Sequence, residues 1–126
     1  MKQTPQHVRI EKYIATQYGV TAEHLWSRYP EFSVFRHPHS KKWFGLIMNI
    51  SRDKLGLRGT EIVYVLDVHC MPAMLATILS DGDFMAGYHM NKNSWSAIIL
   101  DDHLTDAEII PLIDASFNSV TPKRKK

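Results

Sequence analysis

The sequence predicts an α+β fold of two layers, a largely antiparallel sheet with its helices on one face. Three observations carry this. Helical spacing of apolar residues occurs near both ends of the chain, while the middle alternates with a period of two. The strand-like runs are separated by turn residues too few for long crossovers, so neighbouring strands run antiparallel. A capping box, Thr105-Asp106-Ala107-Glu108, opens the last helix. With 126 residues, 44% hydrophobic and 22% charged, the chain has the size and composition of one packed domain.

The elements follow in order. Thr4-Pro5 suits a helix start, and Ile10, Tyr13, Ile14 and Tyr18 recur at helical spacing before Gly19, predicting a helix over 5–18. Residues 20–27 add a short turn or capping segment. Ser33 to Arg36 reads as a strand, and His37-Pro38-His39-Ser40 as a turn. Trp43 to Ile50 is a central strand with Phe44, Leu46, Met48 and Ile50 on one face and Trp43, Gly45 and Ile47 on the other. Residues 51–60 form a loop, and Glu61 to His69 the next strand. Pro72 starts a second helix burying Met74, Leu75, Ile78 and Leu79, ended by Asp81-Gly82. A short strand follows at 84–88 and another at 95–100. The last helix runs from 106 to about 119, with Leu104 and Ile109 as its hydrophobic staple and Ile109, Leu112, Ile113, Phe117 and Val120 buried. Pro111 is expected to kink its first turn. The predicted order is α-β-β-β-α-β-β-α, a single domain over 1–121 followed by a disordered basic tail, 122–126.

No secretory h-region follows Met1, and no apolar run approaches the roughly 18 residues that span a bilayer, so a cytoplasmic location is expected. One cysteine, Cys70, allows no internal disulfide. Net charge is +2, but it is unevenly placed. Residues 1–60 hold ten Lys/Arg against four Asp/Glu; residues 61–122 hold only Lys92 against nine acids. Such asymmetry suggests a directed electrostatic surface, unless the halves interleave in space and the field cancels.

The stretch Gly87-Tyr88-His89-Met90-Asn91-Lys92-Asn93-Ser94-Trp95 resembles the G-Y-H-x-N-K-x-x-W signature of the MmcQ/YjbR family, and Asp106 to Ser116 resembles that family's closing helix. The resemblance extends upstream through the strands at 33–69. It implies a two-layer, CyaY-like α/β fold in the element order above, a small cytosolic bacterial protein, and a double-wing DNA-binding arrangement. The loop at 51–60 and Pro111 depart from the shorter family pattern; if that loop is a wing, its basic residues bear on what it contacts.

From Arg28 to Arg58 the chain carries seven Lys/Arg against Glu31 and Asp53. Lys41, Lys42, Arg52, Lys54 and Arg58, with Lys92, are therefore candidate phosphate contacts, Trp43 and nearby Phe residues adding stacking, and the tail a non-specific aid. An ordinary solvated surface is the plain alternative. No base-reading pattern is visible, so DNA binding would be non-specific. In the 87–95 loop, His89, Asn91, Asn93 and Trp95 are candidate ligand contacts. Their structural alternative is a turn in which Gly87 supplies an unusual backbone angle, the asparagines hold turn amides and Trp95 packs. His37 with His39, or Asp67, His69 and Cys70, could suggest a metal, but neither group supplies three convincing ligands. Cys70 before the second helix could have a lowered pKa. Asp101-Asp102 reads as a solvated turn rather than paired acids. No nucleophile elbow, Walker A loop or dinucleotide fingerprint is present. No catalytic activity, metal or cofactor is expected. A binding protein is, with DNA as partner; the alternative is a protein-interaction module using an exposed sheet face with Trp43 or Ile98.

Overall fold

The computed structural model describes residues 4–80, 82–88 and 90–122. Its elements are α1 (Gln6–Tyr18), β1 (Ser33–Arg36), β2 (Trp43–Ser51), β3 (Ile62–Val68), α2 (Pro72–Leu75), β4 (Met85–Ala86), β5 (Ser96–Ile99) and α3 (Asp106–Ser119), with a 3-10 turn at Arg52–Leu55. The predicted order holds. The strands form one sheet in the order β1-β2-β3-β5-β4, every pair antiparallel. No helix among the described residues is long and apolar enough to cross a membrane. Residues 123–126 of the expected 122–126 tail, and Asp81 and His89, lie outside the described residues.

Local chemistry sets the element ends. Gly19, at φ 66°, closes α1 and donates its N–H to Ala15. At α3 the Thr105 hydroxyl accepts from the Glu108 N–H at 3.2 Å, and the Glu108 carboxylate accepts from the Thr105 N–H at 2.9 Å. Leu104 and Ile109 are both buried, as the staple requires. The helix runs as one element across Pro111, which is exposed, as is Ala107 four residues before it. The carbonyl deprived of its helical partner therefore lies on the solvent side, where water can replace the bond.

The three helices share one face of the sheet. There Ile10 and Ile14 of α1, Leu75 of α2, and Ile109 and Ile113 of α3 pack on Phe35, Ile47, Leu66, Val68 and Ile98. Ile98 is thus core, not an exposed contact. Polar groups in this layer are paired: buried Gln6 donates to the Leu104 carbonyl and to Asp106, and accepts from the Asp102 N–H. Arg9 pairs with Asp102 and Asp106, joining the basic and acidic halves of the chain. The charge segregation of the sequence is therefore partly cancelled in space.

Two elements differ from expectation. α2 is a single turn continued by hydrogen-bonded turns to Leu79. Leu75 and Leu79, four apart, face the core, so Met74 and Ile78, also four apart, face outward at 57% and 67% exposure. In β2, Phe35 pairs with Gly45 and Arg36 with Trp43, leaving Phe44 as a bulge. The bulge reverses the alternation. Phe44 joins Ile47 on the helix side, and Trp43 joins Leu46, Met48 and Ile50 on the other.

Candidate functional site

The face of the sheet without helices carries its own apolar layer. Val34, Leu46, Met48 and Ile50 form one cluster; Val65, Ala97 and Ile99 form another. Their cover comes from two irregular segments. After α1 the chain rounds the β1 edge, where Glu23 and Val34 exchange backbone hydrogen bonds at 2.9 Å. Turns closed by Tyr29 N–H to Trp26 O and Phe32 N–H to Tyr29 O, each 3.1 Å, then lay Trp26, Tyr29 and Phe32 over the sheet. From the other side comes the 87–95 loop with Tyr88 and Met90.

This cover is incomplete. An open groove of about 380 Å³ remains, walled by Trp26, Tyr29, Phe32 and Trp43, with Leu46 and Met48 as floor and Met90 at its margin. Trp26 stands edge-on to Trp43 at 5.9 Å and to Phe32 at 5.8 Å, while Tyr29 stacks on Phe32 at 4.8 Å. The Arg36 guanidinium lies 5.8 Å from the Trp43 ring and pairs with Glu23. Tyr29 and Phe32 also border a second, smaller recess of about 130 Å³, of mixed lining, with Asn49, Ile50, Ser51, Lys54, Ile62 and Tyr88.

The predicted phosphate contacts do not form one patch. Lys41 and Lys42 sit in the β1–β2 turn; Arg52, Lys54 and Arg58 sit at the far end of β2. At a strand rise of about 3.3 Å per residue the two groups are roughly 27 Å apart, with the groove between them. The Lys41 ammonium donates to Pro38 O at 2.8 Å, and Arg52 Nε donates to Arg58 O at 2.8 Å, so both brace their own loops. Lys42, Lys54 and the Arg58 guanidinium make no ion pair among the described residues. Lys92 donates to the Gly87 carbonyl at 3.0 Å and holds the 87–95 loop closed.

Of the predicted loop contacts, Asn91 and Asn93 serve the turn: the Asn91 carboxamide accepts from the Asn93 N–H at 2.8 Å, and its backbone carbonyl accepts from Ser94 and Trp95. Trp95 is buried, edge-on to His69 at 5.1 Å. Gly87 is required by space, not by backbone angle: its φ is not positive, but an added Cβ would stand 2.6 Å from the Trp95 Cβ.

Asp67 projects to the same helix-free face, directly opposite Leu46 of β2 and Ala97 of β5, and is fully buried. Neither carboxyl oxygen meets a partner at full hydrogen-bond geometry. Burial pushes its pKa up to about 8, and the nearby Tyr88 N–H and Lys92 ammonium offset only part of that rise. His69 turns the other way: its N–H donates to Ser116 Oγ at 2.7 Å, and Nδ1 lies 2.8 Å from Ser119 Oγ on α3. Asp67 and His69 therefore do not converge. His37 is buried with both ring nitrogens engaged. Nδ1 accepts from the His39 and Ser40 N–H groups, which leaves Nε2 to donate to Thr121 Oγ1. Burial lowers its pKa, in keeping with a neutral ring. Cys70 borders a third cavity, about 410 Å³, beside Met71 and Met74. Burial raises its thiol pKa, opposite to the expected activation, and the one-turn α2 behind it contributes little dipole.

The groove was only half legible in the sequence. Trp43 and the neighbouring phenylalanines, Phe32 among them, stand out as stacking candidates; Trp26 and Tyr29 do not, because their segment has no periodicity. The available signal was the spacing itself, three aromatics three residues apart in an irregular stretch.

Comparison with known proteins matches this architecture. The chain is 36% identical over 109 residues to the uncharacterized protein YyaQ of Bacillus subtilis (strain 168), covering 86% of this chain and 92% of that one. A crystal structure of a Pseudomonas syringae protein superposes with a TM-score of 0.84 at 30% identity, covering 96% of this chain and all of that one. A solution NMR structure from Pseudomonas syringae gives 0.81 at 29%, covering 95% and 96%. The family model described as YjbR matches residues 15–119, and the chain belongs to the YjbR family.

Proposed function

We propose that this small YjbR protein is a nucleic-acid-binding module that takes an unpaired strand along its helix-free sheet face. One observation carries the reading: an open groove walled by Trp26, Tyr29, Phe32 and Trp43 lies between two separated groups of cations. Aromatic walls stack bases of any sequence, each stack contributing about 1–3 kcal/mol, while lysines and arginines at either end neutralise phosphates. This refines the expectation of DNA binding through basic loops. Loops some 27 Å apart, with rings between them, suit a strand with unstacked bases better than a closed duplex. Binding rather than catalysis is the reading, because the groove is lined by rings and thioethers.

The test is fluorescence anisotropy of a labelled single-stranded 12-mer and the matching duplex, at about 50 and 200 mM salt. The single strand should bind more tightly, weaken with salt, and lose affinity on Trp43→Leu. Equal or tighter duplex binding that ignores Trp43→Leu would contradict the reading. A protein-interaction reading is favoured by a different feature, the exposed Met71, Met74 and Ile78 around α2, rather than by the sheet face.

A further inference from the structure

The groove is not a uniform trough. The stacked pair Tyr29 and Phe32 stands at one end of it, and the same two residues border the smaller recess. The recess is about a third the volume of the groove. Asn49, Ser51 and Lys54 are among the residues at its border, with Ile50 and Ile62. Lys54 is exposed and its ammonium has no hydrogen bond or ion pair among the described residues, in contrast to the side chains of Lys41, Lys92 and Arg52, which are tied to carbonyls. An uncommitted ammonium at a recess that shares two rings with an aromatic slot complements a ligand with a flat heterocycle at one end and an anion at the other.

We infer that groove and recess together form a bipartite site for one nucleoside monophosphate unit, its base between the groove rings and its phosphate at Lys54. This rests on the nucleic-acid reading and sharpens it. The recognition unit is a single nucleotide held in one direction, and the cations of the β1–β2 turn serve only neighbouring phosphates. Trp26 and Trp43 wall the groove, while Trp95 is buried away from it, so intrinsic tryptophan fluorescence reports occupancy.

The experiment titrates the full chain with adenosine, with adenosine 5′-monophosphate and with inorganic phosphate, following tryptophan fluorescence. The same three titrations are repeated on Lys54→Gln, and both proteins are checked against the single-stranded 12-mer. The monophosphate should bind about tenfold more tightly than adenosine, the worth of one charge-assisted contact. Lys54→Gln should bring that ratio close to one. Equal binding of monophosphate and adenosine, or a ratio unchanged by Lys54→Gln, overturns the phosphate placement; continued binding of the 12-mer would then leave the nucleic-acid reading standing. Failure of both small ligands and the 12-mer overturns the bipartite site together with that reading.

Discussion

The two faces of the sheet are made from the same strands yet finished differently. On the helix side, Phe35, Ile47, Leu66, Val68 and Ile98 are sealed under α1 and α3, and buried polar groups such as Gln6, His37 and Ser116 have partners. On the other side, turns and a loop cover Leu46, Met48 and Ile50 only in part, a groove stays open, and Asp67 is buried without a good partner. The helix side is finished as a protein interior; the other side is left partly open, and it is there that the proposed binding face lies. A buried carboxyl and open aromatic walls cost stability relative to a sealed interior.

That contrast can be broken by mutation. Ile98→Ala, under the helices, should cost about 2–5 kcal/mol by chemical denaturation. Trp26→Ala, at the open groove, should cost markedly less stability and instead weaken oligonucleotide binding; equal stability losses would erase the distinction between the faces. Gly87→Ala forces a Cβ against Trp95 and should cost about 1–3 kcal/mol through overpacking. A neutral result would mean that the 87–95 loop is less firmly seated than its contacts imply.

Asp67 gives a pH-dependent test. Its carboxyl titrates near 8 in the folded protein and near the ordinary Asp value unfolded. The unfolded chain therefore releases this proton first, and stability falls as pH rises between those values. Asp67→Asn should leave stability nearly unchanged near pH 4 and raise it by about 1–3 kcal/mol near pH 8. Thermal melts at both pH values would show it; a gain at pH 4 equal to that at pH 8 would mean the carboxyl is not held neutral. The smallest effect expected is from Thr105→Ala, about 0.5–2 kcal/mol from loss of the α3 cap, with no change in ligand binding.

The sequence made some of this legible and hid the rest for definite reasons. β1 ends just before Pro38 and α3 starts at its capping box, because those signals act over a few residues. The length of α2 was overestimated, since two pairs of apolar residues four apart, Leu75 with Leu79 and Met74 with Ile78, cannot both face one core. The bulge at Phe44 leaves no mark in a run that is apolar on both faces, so simple alternation puts Trp43 on the face opposite Leu46 and Met48, away from the groove it lines. The basic residues were visible, but their separation by the length of β2 depends on strand pairing. Asp67 reads as one more residue in a strand until its neighbours on β2 and β5 are known.

The central claim, that the helix-free face is the binding face, is tested most directly by mapping amide and indole chemical-shift changes in an isotope-labelled sample titrated with the single-stranded 12-mer. The account predicts that shifts concentrate at Trp26, Trp43, Leu46, Met48 and Lys54, while Ile10, Ile14, Leu112 and Ile113 stay fixed. Shifts confined to the helix layer, or to the Met71–Met74 cavity, would contradict it.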